Sequence, residues 1–290
     1  MKPSPLPWIG TGMTDEGRVR TSNQDAYAID NELGLWVIAD GMGGHAGGNI
    51  ASALAVASIM NYIHTSTQPW PHSGDLLQYA KTVLTEAIAA GKNAIQERIA
   101  VAPELSSMGT TVVAVWLCPL PTPSVAIAHV GDSRAYLIRD EQIDALTTDH
   151  SLVQQLVNEG QITLENSWEH PKKNVLVRAI GLHYPSTPDI TLHPLRPHDI
   201  VLLCTDGLTK TISEDDILSV ILEFKDSPKE ACQHLIARTN VAGGKDNTTV
   251  LVLAPSPDWW EHSTEDSGNG NQTFRYRTEL YQASGPRKLA

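Results

Sequence analysis

Short apolar, β-branched runs punctuate the chain at residues 33–39, 110–117, 125–130, 200–204 and 248–253, and each predicts a strand. Most are apolar at every position rather than alternating, so the sheets they build must be covered on both faces. Helical periodicity marks 50–63 and 76–99; in the second stretch Leu77, Ala80, Leu84, Ile88, Ile95 and Ile99 recur near one face. Two more helix starts stand at "SEDD" (213–216) and "SPKE" (227–230), each a serine followed three residues on by an acid, the second with proline in its first turn. Between 149 and 182 the pattern gives way to a polar mixture with one short helix before Gly160, which predicts a surface excursion. After Ala254 the chain is polar and aperiodic. The expectation is one folded unit over 1–254 and a disordered tail over 255–290, whose Trp259, Trp260, Phe274, Tyr276 and Tyr281 either anchor it or serve no role.

Composition narrows the function classes. At 290 residues and 41% hydrophobic content, the chain is long enough for a sizeable core. Its formal charge of −12 supplies no basic footprint for a nucleic-acid backbone, so no nucleic-acid partner is expected. The start "MKPSPLPWIG" lacks the features of a secretory signal, and no apolar stretch reaches the roughly 18 residues of a membrane span. The expected location is the cytoplasm. Cys118, Cys204 and Cys232 are widely spaced and odd in number, which suits buried reduced thiols.

The candidate chemistry lies where the predicted strands end. "LWVIADG", "VAIAHVGD", "IVLLCTDG" and "GGKDNTTVLVL" each set an aspartate beside a glycine or strand terminus: Asp40, Asp132, Asp206 and Asp246. Taken singly, each reads as a turn residue. Taken together, four strand ends with one pattern suggest that the acids converge, and nearby carboxylates cannot all stay ionised without compensation. Only Arg20, Arg134 and Lys245 stand in the flanking words. A hard divalent cation, Mg²⁺ or Mn²⁺, is the economical counter-charge. Arg20, five residues before Asp25 in "RVRTSNQDAYAID", offers a fork for phosphate oxygens. A rival reading takes Gly41, Gly43 and Ala46 as a dinucleotide fingerprint. It fails because Asp40 would face a pyrophosphate and "IMNYIHTST" holds no ribose-binding acid at the required distance.

"RTSNQDAY", "ADGMGGHAGG", "MGTTVVAV", "HVGDSRAYLIRD", "LTTDHSLV", "LVRAIG", "LCTDGL" and "GGKDNTTVLVL" occur in an order that resembles the bacterial branch of the PPM family, the type 2C metal-dependent serine/threonine protein phosphatases. The resemblance spans about residues 11–253. It implies an α+β fold: a four-layer α-β-β-α sandwich of two mainly antiparallel sheets flanked by helices, with the metal site at one end. It also implies hydrolysis of phosphoserine and phosphothreonine in proteins by a water activated at a binuclear Mn²⁺ or Mg²⁺ centre, with a third, weaker metal.

Position by position, Asp40 resembles the acid that bridges the two metals and Gly41 the carbonyl that binds one of them; Asp206 and Asp246 resemble the acids that complete the other. Asp25 resembles the acid holding metal-bound water, and Asp132 the ligand of the third metal, shared with Asp206. Arg20 resembles the phosphate-binding arginine, and His45 is the candidate donor of a proton to the leaving alkoxide. Two departures stand out: in animal members a histidine follows the aspartate and glycine directly, whereas "DGMGGH" displaces it, and Gln24 replaces a frequent glutamate. The excursion at 149–182 corresponds to the family's flap; Arg178 within it is expected to face solvent, with substrate contact as the other reading. His129 is read as a strand residue. The implied partners are phosphoprotein substrates and a serine/threonine kinase. Two rivals differ in class: a pseudophosphatase that only binds phosphoproteins, and a hydrolase of small phosphoesters.

Overall fold

The computed structural model describes residues 7–66, 70–71, 74–118, 122–181 and 183–256, with only the main chain at 44–46. The expected tail lies outside the described residues, apart from its first two positions. In chain order the elements are β1 (Trp8–Asp15), β2 (Asp25–Asp30), β3 (Leu35–Met42), α1 (Gly44–Ser66), α2 (Leu76–Val101), β4 (Gly109–Thr110), β5 (Val112–Cys118), β6 (Ser124–Val130), β7 (Arg134–Arg139) and β8 (Gln142–Ala145). There follow α3 (Leu152–Asn158), α4 (Leu164–Glu169), β9 (Ile180–Gly181), β10 (Asp189–Pro194), β11 (Ile200–Cys204), α5 (Asp206–Thr209), α6 (Glu214–Glu223), α7 (Pro228–Val241) and β12 (Thr248–Pro255).

One sheet runs β1-β12-β11-β7-β8; the other runs β10-β6-β5-β3 and extends through β4 and β9, with β2 also paired to β3. Every ladder is antiparallel. Successive side chains of a strand point to opposite faces, and here each face meets a separate core. Leu35, Val37 and Ala39 pack with Ala55, Ile59 and Ile88 of α1 and α2. Their neighbours Trp36 and Ile38 turn the other way, onto Val201, Leu203, Leu251 and Leu253 of the second sheet. Leu202, Val250 and Val252 in turn face Ile217 and Ile221 of α6 and Leu235 of α7. The layers are therefore helix, sheet, sheet, helix, as the uniformly apolar runs demanded.

All five predicted strands form within a few residues of their expected limits, and 200–204 coincides with β11. Both long helices form, but α1 starts at Gly44, well before the apolar period at 50. Ser213 caps α6 by accepting from the Asp216 N–H at 3.1 Å. Ser227 makes no such side-chain bond, and α7 instead starts on Pro228. The pattern missed β1, β2, β7, β8, β9 and β10. In β2 every residue is half-buried, and β8 is mostly exposed, so neither shows an apolar run. The three cysteines are buried.

Gly10 shows how tightly the inter-sheet core closes. A Cβ there would stand 2.2 Å from the Trp36 indole nitrogen, which donates to Asn31 Oδ1 at 2.8 Å. Gly10→Ala is expected to displace Trp36 and destabilise the fold by about 1–3 kcal/mol, read as a lowered urea midpoint with unchanged slope.

Candidate metal centre

The antiparallel order brings the ends of both sheets to one place. β11 ends at Cys204 beside Val250 of β12, so Asp206, just past one strand, and Asp246, just before the other, leave the same edge. In the second sheet the register sets Asp25 of β2 directly opposite Asp40 of β3. Like charges facing each other across a ladder are destabilising, so this pair marks a position where the sheet does not serve stability alone. Asp132 lies on the short crossing from β6, in one sheet, to β7, in the other.

A cleft of about 550 Å³ opens here, lined by Arg20, Asp40, Gly41, Asp132, Asp206 and Asp246 among others. Asn174 and Leu176 of the excursion also line it. The Asp25 Oδ2 accepts from the Thr249 hydroxyl at 2.7 Å and the Thr205 hydroxyl at 2.9 Å. Its Oδ1 is buried with no hydrogen-bond partner. Burial pushes the Asp25 carboxyl up to about 7 against the two hydroxyls, and repulsion from Asp206 and Asp246 adds to it. Burial also holds Asp40 well above the carboxylate range, reinforced by Asp25, Asp206 and Asp132. Asp132 is raised to about 7 by burial and Asp206, although Lys210 opposes the shift. An orphaned acceptor and mutually repelling acids with oxygen donors fit a divalent cation.

Close main-chain packing explains the glycines. Gly41 N–H donates to the Gln24 carbonyl at 3.0 Å, and a Cβ on Gly41 would sit 2.0 Å from the Gly48 carbonyl oxygen. A Cβ on Gly207 would sit 1.9 Å from the Asn247 carbonyl oxygen. The "ADGMGGHAGG" stretch is thus the end of β3 and the first turns of α1, packed backbone to backbone. His45 lies in the first turn of α1, and its side chain falls outside the described residues.

Several residues unremarked in the sequence hold this arrangement. The Asn247 Oδ1 accepts from the Gln24 N–H at 2.8 Å, and its Nδ2 donates to the Ser22 and Glu16 carbonyls at 3.0 Å each. Thr111 anchors Asp40: its Oγ1 accepts from the Asp40 N–H at 3.0 Å and its own N–H donates to the Asp40 carbonyl at 2.9 Å. The cationic partner also differs from expectation. Arg134 is spent on Asp149, with which it forms a two-pronged pair at 2.7 and 2.8 Å. Lys245 is exposed. Lys210 instead reaches Asp206 and Asp132, and its position four residues after Asp206, just past a helical turn, was the available signal. Arg20 Nη2 pairs with Asp246 Oδ2 at 2.8 Å, with both side chains substantially exposed.

Arg178, expected to face solvent, keeps 34% of its side chain exposed and pairs its Nη1 with Asp189 Oδ1 at 2.6 Å. His129 is the expected strand residue, buried in β6 with Nε2 at 2.9 Å from the Thr148 carbonyl.

A family model described as Protein phosphatase 2C matches residues 14–242. The chain belongs to this family. Among protein phosphatase 2C relatives, a putative protein phosphatase 2C-type from Streptococcus pyogenes is 38% identical over 244 residues, covering 83% of this chain and 94% of the relative. The serine/threonine phosphatase stp of Listeria monocytogenes is 36% identical over 246 residues, covering 83% and 93%. Among solved structures, the catalytic domain of the serine threonine protein phosphatase PstP in complex with two manganese ions superposes with a TM-score of 0.72 at 34% identity, covering 86% of this chain and 98% of that one. The S. agalactiae serine/threonine phosphatase gives a TM-score of 0.77 at 34% identity, with 86% and 100% covered. The four-layer architecture is that of these protein phosphatase 2C structures.

A cation bound only by the folded centre stabilises it by mass action, about 2.7 kcal/mol at 100-fold excess over Kd. The folded Asp25 carboxyl keeps its proton up to about 7, whereas the unfolded one loses it near its ordinary value. Metal-free stability from this group therefore declines as pH rises through that window. Metal displaces the proton, so Mn²⁺ is expected to raise Tm over an EDTA control more at pH about 8 than at about 6, as measured by thermal unfolding.

Proposed function

We propose that this chain removes phosphate from phosphoserine and phosphothreonine in protein substrates, using two Mn²⁺ or Mg²⁺ ions. The observation that carries the reading is the convergence of Asp40, Asp206 and Asp246 with Arg20 at one open cleft between the sheet ends, with Asp25 buried opposite Asp40. The family's relatives, named as serine/threonine phosphatases, support the same chemistry.

In this reading the two ions would be held by Asp40, which both would share, by the Gly41 carbonyl, and by Asp206 and Asp246. When bound, the ions supply Lewis acidity that lowers the pKa of water toward about 7 and offsets phosphoryl charge. Asp25, kept in place by Thr205 and Thr249, orients the attacking water and accepts its hydrogen bond. Arg20 binds the phosphoryl oxygens: its ion pair with Asp246 is exposed and worth little, so the guanidinium exchanges readily onto a phosphate, which it grips through two parallel hydrogen bonds. His45 donates the proton that the serine or threonine alkoxide needs on leaving. Asn174 and Leu176 place the excursion where a peptide flanking the phosphate would pass.

The catalytic unit of this reading ends with β12, which runs to Pro255 and pairs with Trp8; the remainder acts as a tail. A serine/threonine kinase is its functional counterpart, and the cytoplasm its place of action. Among the described residues, no helix is long and apolar enough to cross a membrane.

The purified protein is expected to release phosphate from a phosphothreonine peptide with Mn²⁺ or Mg²⁺, and EDTA is expected to abolish it. Folded protein that binds the peptide without turnover would make it a pseudophosphatase instead. Turnover confined to small phosphoesters would move the substrate class. His45→Ala is expected to slow phosphopeptide hydrolysis by about 10²-fold or more while sparing an activated aryl phosphate, whose leaving group needs no proton. Equal rates on both substrates before and after the substitution would remove His45 from the acid role.

A further inference from the structure

Lys210 is the one cation among the described residues that joins two of the centre's carboxylates. It sits at the C-terminal end of α5, four residues after Asp206. Its Nζ contacts Asp206 Oδ2 and stands 3.2 Å from Asp132 Oδ2. Those acids come from different sheets: Asp132 follows β6, and Asp206 follows β11. The Lys210 side chain is 35% exposed, against 7% for Asp132 and 15% for Asp206, so its stem reaches in from the cleft.

Asp206 consequently works on two sides. One faces Asp40, whose carboxyl its charge helps to hold above the usual range; the other faces Asp132 across the ammonium. Arg134, two residues after Asp132, is held by Asp149 and Tyr136 and points its charge elsewhere. A third divalent cation shared by Asp132 and Asp206 would need the volume that Nζ fills. Carboxylate–metal distances are about 2.0–2.1 Å for Mg²⁺, so an ion on the same pair of oxygens would sit within contact distance of Nζ and have to displace it. Their like charges would also repel at contact distance.

We propose that Lys210 is a built-in third cation: its ammonium neutralises the Asp132–Asp206 pair and fixes the Asp206 carboxylate, so the centre holds two divalent ions and excludes a third. The inference rests on the two-metal reading above. It also assigns Lys210 as a positioning residue, acting through Asp206 rather than on the substrate.

The test is metal stoichiometry, which needs no turnover. Isothermal titration of metal-stripped, full-length protein with Mn²⁺, continued into the weak-binding range, is expected to give two sites in the wild type. Lys210→Arg, which keeps the charge, should also give two. Lys210→Asn should add a third, weaker site, and Lys210→Asn combined with Asp132→Asn should lose it again. Three sites in the wild type would overturn this proposal while leaving the two-metal reading intact; so would a Lys210→Asn protein, shown to be folded, that still binds only two. Wild-type protein that binds no Mn²⁺ would instead overturn the two-metal reading, and this one with it. The wild-type measurement stands whether or not the variants fold.

Discussion

Electrostatic repulsion among carboxylates at the seam between the sheets is the constraint around which this molecule is organised. Two like charges about 4 Å apart repel by roughly 4 kcal/mol at an effective dielectric near 20, a large fraction of a domain's whole stability. The chain places five aspartates at that seam, and the register sets two of them face to face. Such an arrangement persists because the rest of the fold over-determines it: three continuous apolar cores clamp the strands from both faces. The loops between them carry the charge.

Counter-charge comes from three kinds of source. Hydroxyls from Thr205 and Thr249 hold one oxygen of Asp25 without cancelling its charge. Arg20 and Lys210 bring positive charge from remote points of the chain, the first to exposed Asp246 and the second to the more deeply set Asp132 and Asp206. The remaining deficit, concentrated on Asp25 and Asp40, is what divalent ions would meet. This division separates the exchangeable charges from the fixed ones. Arg20 stands on an exposed pair, whereas Lys210 joins two more deeply set acids.

Main-chain contact supplies the rigidity that this balance needs. β3 and the start of α1 touch through Gly41 and Gly48, and α5 touches the segment before β12 through Gly207 and Asn247. Any side chain at these points would push apart the carboxylates that flank them. Asn247 then ties the loop before Asp25 to the same segment, which links the two sheet ends.

Much of this was legible along the chain. Apolar runs gave the central strands, because a strand buried on both faces has no polar positions to confuse its period. The strand-terminal aspartates and the ordered motifs pointed to the centre and its family. Half-buried β2 and exposed β8 stayed hidden, since pairing rather than local pattern makes them strands. What only the tertiary structure decided is who meets whom. The pairing of Asp25 with Asp40 is a matter of register, and that of Lys210 with Asp132 requires two sheets to close on each other across 78 residues of chain. Local sequence carries the chemistry of each group, but the free energy of a charge depends on its neighbours, and these are set by packing between segments remote in sequence.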